Sequence, residues 1–154
     1  ISRTKIMNAK IISFLFVYYI LFAATFLTSL LTYYNLGDLS ITHTFFPLSS
    51  ADMEYTVVGI LGIFFIFQLC IIFTTAISTT FGNGFTILFS VIFVLTSYIA
   101  KHLDTLKFFF PNGYTSIYES IGFGTTILII SGLFIGYSLI LYLYIRYRFK
   151  KVEF

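Results

Sequence analysis

The chain has 154 residues, 58% of them hydrophobic and 10% charged, with nine Lys and Arg against six Asp and Glu for a formal net charge of +3. An average soluble domain is about 25% charged, so these side chains cannot build a polar coat and a water-soluble globule is excluded. The charges fall at the edges of apolar tracts at 11–37, 55–78, 84–100 and 120–145, which carry none, and a bilayer core about 30 Å thick takes roughly 20 helical residues to cross.

Taken in chain order, Arg3, Lys5 and Lys10 precede a first span at about 11–34. A loop at 38–54 follows, with Asp38, Asp52 and Glu54 and no Lys or Arg. The next 46 residues, 55–100, are free of charge. That is too long for one span, and the glycines around Asn83 in "TTFGNGF" supply a turn. Two spans result, at about 55–78 and 84–101, joined by a hairpin over Thr79–Gly84. Gln68 is the one strongly polar side chain at mid-span; it reads as a hydrogen-bonding residue between helices, with a place in a transport route as the alternative. Cys70 reads as a small apolar filler.

The loop at 101–120 opens with "KHLDTLK" and reads as a solvated interfacial loop or a charged partner surface. The fourth span, about 121–145, carries Gly132 and Gly136 four apart with Ser131 beside them, a pattern that lets another helix approach closely. It ends in a basic tail, 146–154, whose Arg146, Arg148, Lys150 and Lys151 are candidate contacts for lipid headgroups. Four cations are too few for a nucleic-acid-binding tail. Nothing alternates at period two over repeated segments, so a barrel is excluded. The fold class is all-α, a polytopic transmembrane helix bundle of about four spans forming a single membrane domain, 1–154.

Seven of the nine cations lie at the two ends, and four spans return both ends to one side. The positive-inside rule therefore puts the termini in the cytoplasm or the mitochondrial matrix and the loops at 38–54 and 101–120 outside. His43, His102 and Cys70 are too scattered for a metal or haem site, and no phosphate-binding, acyl-transfer or zinc-protease motif is present. The chain is expected to bind no metal and no redox cofactor. Phe and Tyr total 33 residues with no Trp, a bias that AT-rich coding produces and that points to an organellar, mitochondrial inner-membrane protein.

The order of these pieces resembles cytochrome c oxidase subunit III over its third to sixth helices. "IISFLFVYYILFAATFLTS" is similar to the third helix, "FFPLSSADMEYTVVGILGI" to the outer loop and fourth, "NGFTILFSVIFVLTSYIAKHLD" to the fifth, and "YTSIYESIGFGTTILIISG" to the loop and sixth, with Gly124, Thr125 and Thr126 at its Gly-Ser-Thr start. The family's carboxylate inside the third helix has no counterpart, since Val17, Tyr18 and Tyr19 stand there. Phe134 and Tyr137 stand near its histidine pair, and the usual tryptophans are missing. The resemblance implies a divergent, truncated or split subunit III: a non-redox core subunit of the terminal oxidase that packs against the catalytic subunit, binds phospholipid, and leaves haem and copper to its partner subunits. The alternatives are a small hydrophobic subunit of another respiratory complex such as NADH dehydrogenase, or a small transporter.

Overall fold

The computed structural model describes residues 3–36 and 50–151. The loop around Asp38 and the last three residues of the basic tail lie outside the described residues. Four long helices dominate: α1 (Arg3–Leu36), α2 (Ser50–Ser78), α3 (Asn83–Ala100) and α5 (Phe123–Lys151). Each contains a stretch long and apolar enough to cross a membrane. Helix is what lipid demands, because a spanning segment must satisfy every backbone N–H and C=O within itself. The protein is an all-α bundle of four such helices.

The helices extend beyond the charge-free tracts. α1 begins at Arg3 rather than near residue 11, and α5 continues through most of the basic tail to Lys151. Charges at a helix end do not break it, and cations in the last turn complement the partial negative charge of the C-terminus.

Thr79 to Gly82 joins α2 to α3. The Thr80 and Phe81 amides both donate to Ile77 O at 2.9 Å, and Gly82 turns extended (φ −68°, ψ 167°) to start α3. A second break precedes α5. There the four-residue α4 (Tyr118–Ile121) ends at Gly122, whose φ of +90° lies in the region that favours glycine. Its amide still donates to Tyr118 O at 2.8 Å, and its carbonyl accepts from Thr126 N at 3.0 Å.

α2 is the central element. It packs against α1, α3, α5 and the 3-10 turn Pro111–Ser116, and 28% of its apolar window is buried, against 6% for α1, 17% for α3 and 11% for α5. Two small cores result. At one end Met7 and Ile11 of α1 meet Ile72 and Ala76 of α2 and Ile145 of α5. At the other, Val58, Tyr114, Tyr118 and Ile130 pack together. The start of α1, the α2–α3 connection and the end of α5 therefore share one end of the bundle, which also carries Lys5, Lys10 and the basic residues of α5. A hydrogen bond of 2.7 Å between the Thr80 and Tyr144 hydroxyls closes that end.

Candidate functional site

The segment between α3 and α5 begins exposed over His102 to Thr105, as the charged run "KHLDTLK" leads one to expect, and then turns inward. It holds two 3-10 turns, Leu106–Phe108 and Pro111–Ser116, and Pro111, Asn112, Gly113 and Tyr114 are buried. Its depth follows from its neighbours. Phe110 lies 6.0 Å, ring to ring, from Phe93, which is ten residues and so about 15 Å above the start of α3. That is about half of a 30 Å hydrocarbon core. The segment folds back into the bundle to about mid-depth.

Irregular backbone at that depth persists only when protein surrounds it and its polar groups are satisfied. Side chains do much of this. The Tyr114 hydroxyl donates to Phe108 O at 3.0 Å, Tyr137 to Phe109 O at 3.0 Å, Thr115 to Asn112 O at 2.8 Å and Ser116 to Gly113 O at 2.8 Å. Asn112 Nδ2 donates to Ser97 O at 2.8 Å in the last turn of α3, where a helix runs out of its own donors. Asn112 Oδ1 is buried and has no partner. Two glycines make room for the fold-back. A Cβ on Gly62 would stand 2.9 Å from Asn112 Cα, and one on Gly113 would strike the backbone of Lys107. At the start of this segment, Lys107 pairs with the exposed Asp104 at 2.9 Å.

A second feature lies between α1 and α2. Among the described side chains, α1 is held at two heights. Near its middle, Tyr18 donates to Phe64 O at 3.1 Å, Gln68 Nε2 donates to the Tyr19 hydroxyl at 3.1 Å, and the Phe22 and Phe64 rings are 4.8 Å apart. At the basic end, Met7 and Ile11 pack on α2 and α5, and the Tyr142 hydroxyl donates to Asn8 Oδ1 at 3.3 Å. Between these ties the helices leave a groove of about 850 Å³, with Lys10 and Thr79 toward its basic end and Leu21 and Phe67 deeper in.

The sequence-selected residues are dispersed. Gln68 is buried at the middle of α2 and bonded to α1 as described. Ser131 and Gly136 are half-buried and Gly132 is exposed on α5, with open space beyond both glycines. The close approach of backbones within this chain occurs at Gly62 instead. Arg146, Lys150 and Lys151 are exposed at the basic end, with Lys151 Nζ 4.5 Å over the Tyr147 ring. Arg148 is half-buried, and its Nε is buried without a partner. Cys70 lines the groove, half-buried.

Lys10, the tyrosine pair Tyr18 and Tyr19, and Asn112 acquire structural roles that the sequence reading did not give them. The available signal was slight: two adjacent tyrosines inside an apolar span, and an Asn-Gly directly after Pro. Among the described residues, no three of His, Cys, Asp and Glu cluster as metal ligands. No family model, curated protein or solved structure matches the chain.

Proposed function

We propose that this chain is a non-catalytic membrane subunit that works inside a larger assembly. The observation that carries the reading is how little the spans bury one another: α1 and α5 leave about nine-tenths of their apolar windows unburied, with Phe14, Phe16, Leu128 and Ile140 all exposed. Such faces suit other helices as well as lipid. For the host, the order of spans and loops favours the mitochondrial terminal oxidase, where a subunit III-like chain packs on the catalytic subunit, holds lipid and keeps both termini in the matrix.

A second reading, a subunit of a transporter, draws on a specific observation. The fold-back at 106–116 places non-helical backbone at about mid-depth, as the broken and re-entrant segments of transporters do. One experiment separates the two. The native assembly is extracted in mild detergent by a tag on this chain, and its reduced-minus-oxidised spectrum is recorded. A haem a band co-purifying in fixed ratio is the expected result for the oxidase. A pure assembly without that band overturns the oxidase host and moves the chain to the transport reading, for which solute flux in proteoliposomes is the next measurement.

A further inference from the structure

The groove between α1 and α2 has a polar end and an apolar end. From Lys10 to Leu21 is eleven residues, about 16 Å of helix, close to the depth of one leaflet of a 30 Å core. Its deeper walls are Phe14, Val17, Leu21 and Phe67. Toward the basic end the α2 wall turns to hydroxyls, but these are engaged: Thr75, Ser78 and Thr79 donate to Ile71 O, Thr75 O and Ala76 O at 2.9, 2.8 and 2.7 Å, and Thr74 shares a hydrogen bond of 2.7 Å with Ser90. The unengaged donor on that rim is Lys10, which is exposed and, among the described residues, in no ion pair. The other described charges of this end are Lys5, Arg146, Arg148, Lys150 and Lys151, all cationic; the described carboxylates, Glu54, Asp104 and Glu119, belong to the opposite end.

We propose that this groove seats an anionic phospholipid drawn from the leaflet at the basic end, with its phosphate on Lys10 and one acyl chain along Phe14, Val17 and Leu21 toward Phe67. A trough about one leaflet deep fits an acyl tail, and the free ammonium at its mouth, where the described charges are all cationic, fits an anionic head. The hydroxyls, already engaged within α2 or with Ser90 of α3, offer a neutral polar collar. The inference rests on the membrane placement of α1 and α2 and is independent of the host complex.

The test is native mass spectrometry of the full chain purified in mild detergent, titrated with dioleoyl phosphatidylglycerol or dioleoyl phosphatidylcholine. Wild type is expected to retain phosphatidylglycerol in preference to phosphatidylcholine. Lys10→Gln is expected to weaken phosphatidylglycerol retention about fivefold, the worth of one lysine at a membrane surface, and to leave phosphatidylcholine unchanged. Lys150→Gln, a cation of the same end away from the groove, is expected to leave both unchanged. Val17→Trp, which fills the trough, is expected to reduce both lipids, and its circular dichroism reports whether the helices are intact. Equal retention of the two lipids by wild type overturns the proposal, as does a Lys10→Gln variant indistinguishable from wild type. An equal loss in Lys150→Gln overturns it too, since that outcome is diffuse attraction to a basic rim. Alkaline carbonate extraction of native membranes tests the membrane placement separately: a chain released by carbonate fails that placement whatever its lipid binding.

Discussion

At the level of single residues, glycines at two places in this chain face opposite circumstances. Gly62 lies against the backbone of Asn112 and Pro111, and backbone cannot swing aside as a side chain can. Gly62→Ala is therefore expected to cost about 1–3 kcal/mol, the usual penalty of overpacking, seen as a lower midpoint of thermal unfolding in detergent. Gly132→Ala and Gly136→Ala meet open space and are expected to leave the isolated chain within about 0.5 kcal/mol of wild type. A loss in the native assembly but not in the isolated chain would then show that this glycine pair packs against another subunit. The G-x-x-x-G spacing was legible in the sequence, but spacing alone does not say whether a neighbour is present. Gly62 has its neighbour because a segment fifty residues downstream returns to it, which no local pattern announces.

At the level of elements, the four spans were readable because lipid imposes one rule on all of them: a run free of charge and long enough to cross. The α2–α3 turn was readable from its glycines. The fold-back at 106–116 was not, because its cues pull in two directions. Lys101, Asp104 and Lys107 mark an interfacial loop, while three consecutive phenylalanines, Phe108 to Phe110, followed by Pro-Asn-Gly mark a segment that enters an apolar place and turns. Tertiary contact decided between them, through Asn112 on the end of α3 and Tyr137 on Phe109 O. Removing Asn112 is expected to loosen this segment first. Asn112→Ala should raise hydrogen exchange across 106–116 while leaving α2 and α5 protected, at a cost of about 1 kcal/mol for the lost hydrogen bond. The mid-membrane attachment of α1 includes a comparable side-chain bond. Gln68 lies ten residues, about 15 Å, from the end of α2 at Ser78, near the middle of the membrane, where its bond to Tyr19 has no water to replace it. A double-mutant cycle of Gln68→Leu and Tyr19→Phe is expected to give a coupling of about 0.6 kcal/mol, and no more than about 1.7, the range found for such bonds between membrane helices. A coupling near zero would leave the middle of α1 held by the Tyr18 hydrogen bond and aromatic packing.

At the level of the whole molecule, charge and packing agree on a polarity. One end gathers Lys5, Lys10, Arg146, Arg148, Lys150 and Lys151 around the start of α1 and the end of α5; the other mixes Glu54, Asp104 and Glu119 with Lys101 and Lys107 beside the fold-back. A chain inserted by the positive-inside rule keeps the first end in the compartment of synthesis, because moving clustered cations across the bilayer is opposed. The consequence can be measured on a Cys70→Ser background, which removes the native thiol, with one new cysteine at a time. Lys150→Cys and Thr105→Cys, both at exposed positions, are expected to react with a membrane-impermeant maleimide from opposite faces of sealed vesicles, Thr105→Cys from the outer face and Lys150→Cys only after permeabilisation or inversion. Pro111→Cys, a fully buried position of the same connection, is expected to resist the reagent from either face, which separates a folded-back segment from an open loop. Reaction of Thr105→Cys and Lys150→Cys from one face would contradict the bundle itself, since the chain crosses the membrane once between them.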